Sequence, residues 1–172
     1  MKNLRFLFFA LFCVLFSCSK DSSVAPNTIY ATISGGTGVS GSTEKFTVRV
    51  QVDHNPGNPD GFEYGIGITA FNPDATKSDD IGIYVYSHQP IVAGTYKFAY
   101  PPSNSNNSSS FLSYAVNPSD FDYIPDETKS NPSTIVITSI TSNNIKGTFS
   151  GTLKGTDGRF VTIVNGKFNV NF

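Results

Sequence analysis

The sequence predicts an all-β protein: an antiparallel β-sandwich or barrel-like domain of about ten strands. Three observations predict it. From Thr28 to the end of the 172-residue chain, apolar side chains recur with a period of two. No window carries the three-to-four spacing of an amphipathic helix. The alternating runs are short and separated by clusters of Gly, Asn, Asp, Pro and Ser, the residues of turns.

The runs follow in order. Ile29 to Ser34 alternates, and EKFTVRVQV (44–52) puts Phe46, Val48, Val50 and Val52 on one face and Lys45, Thr47, Arg49 and Gln51 on the other, one half-buried strand. Further strands are expected at 62–70, 81–87, 94–100, 111–116, 134–140, 144–154, 159–165 and 167–172. Asp157-Gly158, between two such runs, predicts a tight hairpin because Gly adopts positive φ at little cost. Thr141-Ser142-Asn143-Asn144 predicts another, making the C-terminal forty residues a meander. The irregular stretches 34–42, 53–61, 101–110 and 117–132 are expected as long loops, the usual place for variable contacts and equally for tolerated surface insertions.

The first residues have a different grammar. Lys2 and Arg5 precede eleven residues, Phe6 to Phe16, without a charged or amide side chain. That is a basic region followed by the apolar core of an export signal, and it is shorter than the ~20 residues a membrane-spanning helix needs. The run ends Leu15-Phe16-Ser17-Cys18, which resembles the lipobox of bacterial lipoproteins, with Phe16 where a small residue is more usual. The resemblance implies cleavage before Cys18 and acylation of its sulfur. It divides the chain into a signal peptide (1–17), a lipidated Cys18 with a flexible tether (18–27) and a single β domain (28–172). One acyl chain holds a protein only marginally, and several on one cysteine anchor it stably. The expected location is the outer membrane or cell surface, with the membrane as a partner through the N-terminal lipid.

With Cys13 in the signal and Cys18 acylated, the domain holds no cysteine, so its own core must stabilise it. Thiol catalysis and cysteine-based zinc sites are excluded. After removal of Lys2 and Arg5, ten basic residues face thirteen acidic ones and none of the ten cluster, which argues against nucleic acid as a partner.

Residues 133–172 carry a further resemblance. Ile135-Val136-Ile137-Thr138, Gly147-Thr148-Phe149-Ser150, Val161-Thr162-Ile163 and Asn165-Gly166-Lys167-Phe168 resemble the C-terminal signature of a Bacteroidota lipoprotein family that has no activity to carry over. In physical terms the signature is hairpin and core: Gly147 and Gly166 permit bulges or tight turns, and Phe149 and Phe168 point inward.

Chemistry-bearing constellations are few. There is no Gly-x-Ser-x-Gly elbow, and His54 and His88 stand apart, so no catalytic residue, metal or cofactor is assigned. Asp53, Asn55 and Asp60 in one loop, and Asp120, Asp122, Asp126 and Glu127 in another, are acidic turns without the order of calcium-loop ligands. Glu44 and Glu63, outside those loops, are not brought together by spacing. The candidate ligand face is on IYVYSH (83–88). Ile83, Val85 and Ser87 share one side, leaving Tyr84, Tyr86 and His88 in a row on the other, rings able to stack on a sugar or aromatic ligand. The same row also fits a central strand buried on both sides, or one packed against Tyr96 and Tyr100 across strands. The functional expectation is a non-enzymatic binding or structural module of the envelope, its partner a glycan or envelope protein. The alternatives are a hydrolase built on long-range carboxylates, or a small outer-membrane β-barrel suggested by the closing Phe168, Val170 and Phe172.

Overall fold

A computed structural model describes residues 24–36, 41, 43–46, 48–53, 62–74, 77, 79–99, 108–116 and 121–172. Among these there is no helix; eleven strands, all paired antiparallel, make up the fold. They are β1 (Thr28–Gly35), β2 (Thr43–Phe46), β3 (Val48–Asp53), β4 (Tyr64–Phe71), β5 (Asp80–Ser87), β6 (Gly94–Lys97), β7 (Ser108–Val116), β8 (Phe121–Pro125), β9 (Ser133–Ile140), β10 (Asn144–Gly155) and β11 (Phe160–Asn171).

The main path through the sheet runs β2-β1-β11-β10-β8-β7-β5-β4-β3, with β9 pairing β10 and β6 pairing β9. Strand β10 is twelve residues long and shares one edge between two neighbours. Ile145 to Gly151 pair with β9, and Leu153 to Gly155 pair with β8. The sheet therefore divides at β10 into a β9–β6 wing and a β8–β7–β5–β4–β3 wing. The wings meet again where Ser110 on β7 donates its hydroxyl to Tyr96 O on β6 at 3.2 Å. Between them lies one continuous core, in which Ile29, Ile33 and Phe46 join Ile68, Ile83, Leu112, Ile135, Leu153, Ile163 and Phe168.

Three details depart from the expected strands. The run 44–52 is divided between two strands: β2 pairs β1, whereas β3 pairs β4 at the opposite end of the path. Period-two patterning does not record which sheet edge a residue joins. Conversely, 159–165 and 167–172 are a single strand, β11. It carries a bulge where Val164 and Asn165 together oppose Ser150, and Asn165 takes a left-handed φ of 54°. Finally, the stretch 117–132 contains β8, whose Tyr123 is wholly buried.

The C-terminal hairpin explains its glycines. Gly147 pairs with Phe168 and Phe149 with Gly166, so each phenylalanine faces a glycine on the neighbouring strand. Both rings are buried, 6.4 Å apart, and tilted at 31°. A methyl group on Gly166 would lie 2.6 Å from the Phe149 ring, well inside contact distance. At the tip, Gly158 has φ 77° and Asp157 Oδ1 accepts the Arg159 N–H at 2.9 Å, a three-residue loop closed by a glycine in the left-handed region. Phe168 and Val170 are core residues, and Phe172 packs against the same cluster.

Residues 24–27, placed by sequence in the tether, are pinned to the end of β11. Asn169 Nδ2 donates to Val24 O at 2.6 Å, and Asn171 N donates to Asn27 Oδ1 at 2.9 Å. Asn27 sits at φ 53°, a conformation Asn tolerates better than most side chains.

Candidate functional site

The β4–β5–β7 wing has two unlike faces. Inward, β4 presents Ile66, Ile68 and Ala70, β5 presents Ile81, Ile83 and Val85, and β7 presents Leu112 and Tyr114, all buried. Outward, β5 carries Gly82, Tyr84 and Tyr86, with His88 just beyond its end, and the alternation places all four on one side. All three predicted rings are half-buried.

Register explains how the rings are accommodated. Tyr86 pairs with Gly65 and Tyr84 with Gly67 on β4, while on β7 they face Ser109 and Phe111. Gly65 and Gly67 raise no Cβ beside the rings and are themselves buried. Tyr84 leans across Gly82, where a Cβ would stand 2.7 Å from its Cε2, and its hydroxyl lies 3.2 Å from Thr69 Oγ1. That bond and an edge-on contact with Phe111 (centroids 6.2 Å, 61°) fix the Tyr84 ring. Phe62, buried just before β4, joins the other two: it stacks on Tyr86 at 6.1 Å and 23° and meets His88 at 4.6 Å and 38°.

The row is therefore two aromatic groups, His88–Phe62–Tyr86 and Tyr84–Phe111–Phe98, over a strip of Gly, Ser and Thr. Tyr96 is not part of it. It lies on β6, paired to β9, and its hydroxyl closes a local loop by donating to Val92 O at 2.8 Å and accepting from Val92 N at 3.1 Å. Tyr100, like Cys18 and His54, lies outside the described residues. Phe62, Phe98 and Phe111 escaped the sequence reading. The signal for the glycine strip is the alternation Tyr64-Gly65-Ile66-Gly67, which acquires meaning only once β4 is known to pair with β5.

Elsewhere, charged groups are committed to structure. Buried Glu44 accepts two 3.0 Å bonds from Lys77 and one of 3.3 Å from Asn72 Nδ2. The ammonium of Lys77, bound by Glu44, is held above its ordinary pKa. Buried Asp79 accepts a 3.0 Å bond from the Tyr114 hydroxyl. Burial first, and then the charge of Asp79, push the Tyr114 pKa far upward, so Tyr114 remains the donor. Glu63 is exposed at the start of the β4 segment and joins neither pair.

Beside β8, a cleft of about 420 Å³ is lined by Asp122, Ile124, Pro125, Asp126, Glu127 and Lys154, among others. In it Asp126 Oδ1 accepts the Thr128 hydroxyl at 2.7 Å and its N–H at 3.0 Å, which lowers the Asp126 pKa and closes a turn. Among the described residues no group of three or more His, Cys, Asp or Glu side chains is placed to hold a metal ion. Comparison with protein-family models, with curated proteins and with solved structures finds no match, so the geometry alone carries the functional reading.

Proposed function

We propose that the chain is a lipid-anchored envelope lipoprotein of the Bacteroidota type, acylated on Cys18 and held at the outer membrane or cell surface. Its β domain is a non-enzymatic binding or structural module, and the outward face of β5 is the surface it would use for a glycan or an envelope protein. The observation that carries the binding reading is that Tyr84, Tyr86 and His88 lie half-buried on the one outward face of β5 and its end, with Phe62 packed between Tyr86 and His88. Tyrosine with Gly and Ser neighbours is the composition of adaptable binding surfaces: rigid rings supply contact area at low entropic cost, and Ser supplies adaptable hydrogen bonding. A pyranose ring, apolar on its face and hydroxylated at its rim, matches such a strip.

Two experiments test the two parts. Metabolic palmitate labelling should mark the wild-type chain and spare Cys18→Ser; equal labelling of both would refute the anchor. Glycan-array and pull-down screening of a soluble form beginning at Ser19 should give binding that Tyr86→Ala and His88→Ala abolish and Tyr84→Phe retains, because the last substitution keeps the ring. Binding that survives loss of Tyr86 and His88 would move the site elsewhere.

A further inference from the structure

The docked residues 24–27 bear on how the domain would sit on a membrane. Six Cα-to-Cα steps separate Cys18 from Val24, a reach of at most roughly 20 Å at ~3.3 Å per residue. Strand β11 alone, twelve residues long, spans about 37–40 Å. A tether about half that length keeps the Asn27–Asn171 end of the domain close to the anchor.

Charge is distributed along the same axis. The chain joins the fold where Thr28 pairs with Asn169, and Asn144 Nδ2 binds Asn169 Oδ1 at 2.8 Å, Asn171 Oδ1 at 2.8 Å and Val170 O at 3.1 Å. Amides and hydroxyls make up this end. Just behind it are three lysines. Lys146 pairs with Asn169, and the row Lys45, Tyr30, Lys167 crosses β2, β1 and β11. Glu44, beside Lys45 in sequence, faces inward and is paired with Lys77. The opposite end is made by the β10–β11 turn, the start of β5 and the two ends of β8, since Tyr123 pairs with both Gly155 and Tyr114 and Asp80 pairs with Ala115. That end carries Asp80, Asp122, Asp126, Glu127 and Asp157 with Lys129, Lys154 and Arg159 among them, so it is only weakly negative.

We infer that the asparagine-clamped end, with Lys45, Lys146 and Lys167 behind it, is a docking surface for anionic lipid headgroups, and that the β10–β11 turn is held away from the bilayer. The inference rests on the proposed acylation of Cys18 for its tether. The occupant is a lipid surface because the connecting chain is too short to place this end elsewhere, and because the lysines complement an anionic headgroup layer, whereas the β10–β11 end mixes acids with bases.

The chain has no tryptophan, so a single introduced one reports position without background. The test uses the full lipoprotein, purified from membranes and reconstituted into phosphatidylcholine–phosphatidylglycerol vesicles containing a headgroup-nitroxide lipid, with Ser142→Trp or Thr156→Trp. Ser142→Trp should be quenched strongly and Thr156→Trp barely. Lys146→Glu with Lys167→Glu, or high salt on the unaltered lysines, should weaken the Ser142→Trp quenching. Each lysine is expected to change the docked-to-undocked ratio by roughly fivefold. Equal quenching at both positions, or indifference to salt and charge reversal, overturns the inference. The mass of the N-terminal peptide separates this from a failure of acylation: if Cys18 is bare, coupling its thiol in the chain from residue 18 to a maleimide lipid supplies the same tether, and the quenching comparison decides as before.

Discussion

Replacing Gly147 with alanine probes whether the C-terminal signature is a packing device. A methyl group that fitted would stabilise the fold: its burial contributes about 0.8 kcal/mol, and the stiffer unfolded chain adds about 0.4–1 kcal/mol. It does not fit. The new Cβ would press on Val136 O of the neighbouring strand and stand 2.7 Å from Phe168 Cε1. Phe168 is 2 % exposed and has no free space to turn into, and a backbone oxygen in a ladder moves only with its strand. Overpacking of this kind costs about 1–3 kcal/mol, so a net loss near 2 kcal/mol is expected. For a chain of this size that is a fall in Tm of about 4–8 °C. Gly166→Ala should behave alike, its Cβ meeting Phe149 O at 2.5 Å. The internal control is Gly94→Ala on β6, where the nearest atom outside its chain neighbours is Tyr96 Cε2 at 3.9 Å and the stiffer unfolded chain should give a gain of about 0.4–1 kcal/mol. Thermal unfolding followed by far-UV circular dichroism reads all three. If Gly147→Ala and Gly166→Ala melt with or above the wild type, the reciprocal phenylalanine-on-glycine packing is not what these glycines serve.

Two further outcomes follow from the charged groups. Tyr114→Phe leaves the buried Asp79 carboxylate without its 3.0 Å donor and should cost about 1–3 kcal/mol in urea unfolding, with the m-value unchanged; a cost under ~0.5 kcal/mol would mean that water replaces the hydroxyl. Asp80, whose carboxyl is raised by burial and then by the charges of Asp122 and Asp79, favours the folded state below its unfolded pKa and loses that contribution as pH climbs through the folded one. Asp80→Asn should therefore melt above the wild type at pH 7 and lose its advantage as pH falls toward 3; an advantage that grows on acidification would reverse the sign of the argument.

Alternation made most of the sheet legible, because a strand with one face in the core must sort its side chains two by two. TIVITSI and NIKGTFSGTLK became β9 and β10 almost residue for residue. Long-range pairing was not legible. Nothing in EKFTVRVQV says that Phe46 belongs beside Ile29 while Val48 belongs beside Phe71, so the run reads as one strand rather than two. Strand β8 hid because Pro125 and two aspartates make its neighbourhood read as a loop, and because Ile124 lies on its exposed side. The site divides the same way. Tyr84, Tyr86 and His88 could be placed on one face from the sequence, but their glycine neighbours and Phe62 depend on strand order. Glu44 and Lys77 are 33 residues apart, and Tyr114 and Asp79 are 35, so no local pattern announces either pair.

The first strand is flanked by β2 on one side and by the very last strand on the other. Strand β1 consequently cannot be locked in place until residues 160–171 are present. Loss of β11 would strip β1 of its longer neighbour and β10 of its hairpin mate together. A ribosome or a secretion channel releasing this chain N-terminus first therefore releases a β1 that cannot be completed on the way out, and its assembly is deferred until β11 has been delivered.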